Sequence, residues 1–194
     1  MATSIISTAY SRTHTFERRA LLPHERDCLW QLVQGIVRAT TWHENGTLIS
    51  LGLWGPGDVV GRELVQVEPY HLECLTPVVA VRVPKDQWSR LTDALIRHVR
   101  GAMDLLEIVQ CKDAQVCIES VLVWLARRFG CDVAEGRLID LRLTHQDLAD
   151  LVGTSRVTVT RILNQLERQG RILRVARHRL ILRPTTAAPC VLLN

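Results

Sequence analysis

Between residues 27 and 84, apolar and β-branched side chains alternate with polar ones in short runs separated by turn-forming residues. Leu29 to Thr41 is one extended run with Gly35 in its middle; Glu44-Asn45-Gly46 marks a turn, and Thr47 to Trp54 is a second run. Gly55-Pro56-Gly57-Asp58 enforces a turn before Val59-Val60-Gly61, and His71 to Leu75 and Val78 to Pro84 complete the set. Such short runs, with turns every eight to twelve residues or so, predict a small antiparallel barrel or roll.

From about Lys85 the period lengthens from 2 to roughly 3.5. Trp88, Leu91, Leu95, His98, Ala102, Leu105 and Val109 fall on alternating steps of three and four, while Val99, Met103 and Leu106 form a second apolar stripe. A helix of about 25 residues with two apolar faces has two surfaces to cover. One is expected to pack on its own roll and the other, the seam from Trp88 to Val109, on a symmetric copy. A monomer with one wide core-facing stripe would show the same periodicity. On a dimer seam His98 would meet its symmetry mate, as a pH-sensitive or metal-binding pair or as a polar register device.

A further helix is predicted from about Asp113 to Phe129, ended by Gly130, with a loop from Cys131 to Arg137 and an alternating strand through Ile139, Leu141 and Leu143. Two short helices follow, His145 to Val152 and Arg156 to Gln169, with Gly153 between them and Gly170 after. Ile172 to Val175 and Arg179 to Leu182 read as a hairpin around Ala176-Arg177-His178. The division expected is a β-roll at 1–84, a dimerisation helix at 85–111 and a part built of short helices and a hairpin, with a C-terminal tail, at 112–194.

The 194 residues carry a net charge of +4, with 47% hydrophobic and 5% aromatic content, which excludes a disordered or fibrous chain. Charge is unevenly placed. Residues 1–131 are neutral, whereas Arg156 to Arg183 holds eight Arg against Glu167 alone. Guanidinium forks match phosphate oxygens, and counterion release favours their binding to a nucleic acid. A merely solvated helix face would interleave Glu and Lys, which is not seen here. The longest apolar run is six residues, Val121 to Ala126, so neither a signal peptide nor a membrane span is expected, and the location predicted is cytoplasmic.

The segment from His145 has the pattern of a helix-turn-helix. Ala149 lets the helices approach, Gly153 permits a left-handed turn, and Val159 with Ile162 holds the second helix at its angle. Ser155 is a good N-cap, and Arg156, Val157, Thr160 and Arg161 are the exposed early positions. With the Arg-rich hairpin behind it, the unit reads as a winged helix-turn-helix.

Two stretches then carry a resemblance over nearly the whole chain: Leu53-Trp54-Gly55-Pro56-Gly57-Asp58-Val59-Val60-Gly61, and Leu143-Thr144-His145-Gln146-Asp147-Leu148-Ala149 continued by Gly153-Thr154-Ser155-Arg156-Val157-Thr158-Val159-Thr160-Arg161-Ile162-Leu163. They resemble the Crp/Fnr family of bacterial transcription regulators, most of all its cyanobacterial members. The resemblance implies an α+β chain: an antiparallel jelly roll of the cyclic-nucleotide-binding type, a long dimerisation helix and a C-terminal winged helix-turn-helix. It implies a homodimer on an inverted-repeat site in double-stranded DNA, with RNA polymerase as a candidate further partner. By resemblance, Arg156 and Arg161 read bases, and Val157 and Thr160 share their exposed face; Thr144, Gln146, Ser155 and Thr158, near helix N-termini, suit phosphates, as do Arg177 and His178 of the hairpin. Arg can pair with guanine through two hydrogen bonds, whereas Val157, where many members have Glu, offers only an apolar surface.

Around the effector the sequence departs from that family. The Gly-Glu-Leu turn that cradles a cyclic-nucleotide phosphate is interrupted as Gly61-Arg62-Glu63-Leu64, and Val65 to Glu73 is too short for the Arg-Ser pair. A pocket built on Arg62, Glu63, Ala102 and Met103 is all that remains, cyclic AMP is not expected, and no cofactor is expected. Six scattered cysteines without a CxxC pair predict reduced thiols. Cys28 is the only one near the N-terminus, which argues against an iron-sulfur cluster, and no metal ligands are assigned. A thiol- or metal-responsive regulator of the same fold is the alternative. No Ser/His/Asp set, HExxH or phosphate loop is present, so the chain is not expected to be an enzyme.

Overall fold

The computed structural model describes residues 13–176 and 179–184. Among the described residues seven strands form the N-terminal roll: β1 (Thr13–Phe16), β2 (Cys28–Gln34), β3 (Val37–Trp42), β4 (Leu48–Trp54), β5 (Val59–Val60), β6 (His71–Cys74) and β7 (Val78–Pro84). They build two antiparallel sheets, ordered β1-β7-β2-β5 and β4-β3-β6. The run from Leu29 to Thr41, expected as one strand, is two. Gly35 takes φ +87, and a Cβ there would lie 2.2 Å from the Pro77 carbonyl oxygen. The chain turns at that glycine, and β2 and β3 enter different sheets. β1 has no counterpart in the sequence reading; its four residues are too few to show a period, and pairing with β7 defines it.

Trp30, Leu32, Val37, Ala39, Trp54, Leu72 and Val78 fill the roll between its sheets. Burial of that much apolar surface stabilises the roll. After β7 comes a 3-10 turn, Lys85–Leu91, and then α1, Thr92–Val109. The single helix expected from Lys85 is therefore shortened at its start. There the Trp88 indole N–H donates to the Val83 carbonyl at 3.1 Å, which holds the turn against the strand it leaves.

The C-terminal part contains α2 (Ala114–Phe129), β8 (Cys131–Val133), β9 (Gly136–Ile139), α3 (His145–Val152), α4 (Arg156–Arg168), β10 (Ile172–Ala176) and β11 (Arg179–Leu182). Asp113 caps α2, its carboxylate accepting from the Gln115 and Val116 amides. The expected loop at Cys131 to Arg137 is a hairpin, β8-β9, and only Ile139 of the expected Ile139-Leu141-Leu143 strand lies in it. β9 pairs with β11, so the wing is a four-stranded sheet, β10-β11-β9-β8. One core runs from roll to wing. Ile36, Leu53 and Leu75 pack in the same cluster as Leu105 and Ile108 of α1, Leu122 and Leu125 of α2, and Ile162 and Leu166 of α4.

Candidate nucleic-acid interface

The turn between α3 and α4 follows from four side-chain and backbone choices. Thr144 caps α3 in a reciprocal box: its hydroxyl accepts from the Asp147 amide at 3.1 Å, and the Asp147 carboxylate accepts from the Thr144 amide at 2.7 Å. Ala149 is wholly buried where the helices meet. Gly153 ends α3 at φ 68, ψ 35, a conformation costly for residues with a Cβ. Ser155 then caps α4, accepting from the Thr158 amide at 3.1 Å. Val159, Ile162, Leu163 and Leu166 bury one face of α4, leaving the opposite face to solvent.

That free face begins with Arg156, Val157 and Arg161, all exposed. Val157 is 78% exposed, the highest of the large apolar side chains left in water among the described residues. The side chains of Arg156 and Arg161 make no hydrogen bond or ion pair among the described residues. Thr160, expected beside them, is different. It is half-buried, its hydroxyl donates to the Arg156 carbonyl at 2.8 Å, and it meets His145 Nδ1 at 2.8 Å. With its hydroxyl engaged on both sides, Thr160 holds His145 against α4 and has at most a methyl to offer a base.

The expected phosphate contacts divide likewise. Thr144 spends its amide and hydroxyl inside the capping box, so it positions α3. Gln146 is exposed and donates to Asp150 at 2.7 Å. Ser155 and Thr158 share a hydroxyl pair at 2.9 Å at the open N-terminus of α4, where the helix dipole favours an anion. Arg177 and His178 lie outside the described residues.

The Arg-rich stretch is not one uniform surface. Arg171 pairs with the buried Glu119 at 2.6 Å, Arg174 with Glu167 at 3.0 Å, and Arg179 with Asp140 at 2.8 Å. These three tie the wing to α2, α4 and the segment after β9. Arg156, Arg161 and Arg168 keep their charge exposed on α4.

The α1 seam requires a correction. Leu91 and Leu105 are buried inside the protein itself, Trp88 and Leu95 pack on the roll, and Val109 packs on the main core. Ala102 is half-buried. His98 stacks on Trp54 at 4.7 Å and its Nδ1 meets the Val59 carbonyl at 2.9 Å. The seam therefore faces inward, and His98 is in no position to meet a symmetry mate from it. The outward stripe is Ile96, Val99, Met103 and Leu106, each between 44% and 57% exposed. Periodicity found both stripes but could not say which one the roll would take; Gly101 and Ile108, also buried, belong to the inward face.

The effector set does not assemble either. Arg62 pairs with Glu68 and the Val67 carbonyl, Glu63 accepts from the Asp27 amide at 3.3 Å, and Met103 points to solvent. The contact Arg62 makes is with its own loop. Sequence reasoning missed Arg38, which is buried and bridges Glu73 at 2.6 Å and Asp147 at 2.7 Å, joining the roll to the first helix of the helix-turn-helix. A lone Arg inside a β-branched strand was the available signal, since such a charge is buried only when paired.

Burial pushes the Cys74 thiol up to about 12 and the Cys117 thiol up to about 11, and raises Cys28 as well. Thiols so placed hold little thiolate and react slowly. Cys131 is exposed. Among the described residues no three His, Cys, Asp or Glu side chains are grouped to hold a metal, and no helix is long and apolar enough to cross a membrane.

Residues 118–186 match the Crp-like helix-turn-helix domain. The regulatory protein CysR of Synechococcus elongatus is 43% identical over 175 residues, covering 89% of this chain and 84% of that protein. The chain belongs to the Crp/Fnr family of transcription regulators. A second relative, the global nitrogen regulator of Nostoc, is 30% identical over 179 residues, 81% of this chain and 79% of its own. A Crp-family transcriptional regulator from Thermus thermophilus shares the fold, with a TM-score of 0.75 at 24% identity over 88% of this chain and 92% of that one. As a Crp/Fnr protein it is a DNA-binding transcription regulator and not an enzyme.

Proposed function

We propose that this Crp/Fnr regulator works in the cytoplasm as a homodimer that reads an inverted repeat in double-stranded DNA through α4. The observation that carries the reading is the solvent face of α4, where two unpaired guanidiniums flank an uncovered Val157. Arg156 and Arg161 each suit guanine O6 and N7, and Val157 suits a thymine methyl. Ser155 and Thr158, with the α4 N-terminus, suit a phosphate, as does Gln146 once it lets go of Asp150. Arg177 and His178, which lie outside the described residues, belong to the same expectation.

The twofold partner is assigned to the outward stripe of α1, Ile96, Val99, Met103 and Leu106, because four such side chains in a row on one helix face call for a covering surface. The working division stays 1–84, 85–111 and 112–194, with the middle helix now serving both roll and partner. A twofold dimer places two recognition helices about 34 Å apart, one turn of DNA. Cyclic AMP plays no part in the reading, since the phosphate-cradling turn is interrupted at Gly61-Arg62-Glu63-Leu64 and Arg62 is engaged by Glu68 and the Val67 carbonyl. RNA polymerase is kept as a candidate partner at the promoter. A salt-titrated binding assay tests the whole reading: a steep fall in affinity with salt together with preference for an inverted repeat supports it, and sequence-independent binding contradicts it.

A further inference from the structure

A cleft of about 450 Å³ opens between the β4-β5 turn, α1 and α2, with no lining residue from α4. Its walls carry four guanidiniums, Arg97, Arg100, Arg127 and Arg128, against two carboxylates, Asp58 and Asp104. Asp58 is buried and already taken: Arg128 Nη2 donates to it at 2.6 Å, the Gly55 amide at 2.9 Å, and Arg97 stands 3.9 Å off. Arg97 also donates to the Gly57 carbonyl at 2.6 Å. Arg128 reaches this place because Gly101 has no side chain; a Cβ there would come within 1.9 Å of Arg128 Nη1.

Arg100 and Arg127 differ from these two. Both are exposed, both line the cleft, and neither side chain has a hydrogen bond or ion pair among the described residues. Two unpaired guanidiniums line one concave site with a fixed pair beside them, and even with Asp58 and Asp104 counted the four arginines leave positive charge in excess. Guanidinium forks answer that with an oxyanion, and bidentate pairing favours phosphate. The space is larger than a bare tetrahedral ion needs and within the range of small-molecule sites, and Pro56, Trp124 and Phe129 supply apolar wall.

We propose that this cleft binds a small organic phosphate, held at its phosphate by Arg100 and Arg127 and at its body by the apolar wall. Such a ligand touches the roll turn, the α1 helix and α2 together, so its occupancy bears on how the DNA-binding part sits under the roll. The binding itself is read without DNA and stands or falls apart from the operator.

The test is calorimetric titration of the full chain with 5′-AMP, ribose 5-phosphate and inorganic pyrophosphate at matched ionic strength. It is repeated on Arg100→Gln/Arg127→Gln, whose exposed, unpaired positions leave the core intact, and on Arg161→Ala as a control for anions collecting on α4. Saturable one-site binding of either ester is expected, weakened roughly tenfold or more in the double variant and unchanged in Arg161→Ala. Absence of binding by both esters overturns the proposal, as does binding that survives the double substitution. Pyrophosphate binding without ester binding overturns the assignment to an organic phosphate.

Discussion

Arg161 and Thr160 stand next to each other on α4, and resemblance gives them one task, yet their hydrogen bonds separate them. Thr160 is committed to Arg156 and His145, whereas the Arg161 guanidinium is committed to nothing among the described residues. Replacing Arg161 with Ala should therefore cost about 1 to 3 kcal/mol of operator binding and relax one base position, read by competition against single-base variants of the site. His98 gives a residue-level prediction of another kind. Burial against Trp54 lowers its pKa from 6.5. The neutral ring is thus favoured by the fold, and the unfolded chain takes up a proton first as acid is added. Its stabilising contribution is complete above pH 6.5 and is lost as the pH falls from there through the lower folded value. Denaturant titrations across that window should show the fall, and His98→Phe, which keeps the stack, should flatten it.

α1 shows where sequence and structure part. Most of the apolar positions that define its two stripes were legible, because a 3.6-residue period is written in the order of residues, although Ile96 of the outward stripe and Ile108 of the inward one were not picked out. The assignment of each stripe to a surface was not, because it depends on what the roll presents. Trp54 sits opposite His98, and the Asp58 turn receives Arg97 and Arg128; those partners are distant in sequence. The helix-turn-helix was legible almost to the residue, since Thr144, Gly153 and Ser155 act on their own neighbours through caps and φ. The β8-β9 hairpin was not, since its short strands are defined by pairing with β11. The two stripes of α1 now separate experimentally. Val99→Glu should give a folded monomer by sedimentation, charge having been placed on the outward stripe. Leu105→Ala should instead lower stability by about 2 to 5 kcal/mol with little direct effect on assembly, because it opens a cavity in the core.

Roll, α1 and winged helix-turn-helix are joined by a shared core and by buried ion clusters, one on Asp58 and one on Arg38. Arg38 of β3 links Glu73 of β6 with Asp147 of α3, and Asp147 also completes the cap of α3. Removing the guanidinium leaves two carboxylates facing each other with little water. Arg38→Met should destabilise the protein by about 3 kcal/mol or more, seen as an earlier denaturant midpoint. The wing is fastened the same way, through Arg171 on Glu119. Those contacts anchor α4 through its inward face and the wing, leaving the Arg156-Val157-Arg161 surface to solvent. Two such surfaces, related by a twofold axis, are proposed to read one DNA site. Selecting bound sequences from a random double-stranded pool with the purified protein tests this most directly. The expected result is enrichment of an inverted repeat with half-sites about one helical turn apart, containing guanines that lose their selection in Arg161→Ala. Enrichment of no sequence, or of a single unrepeated element, would contradict it.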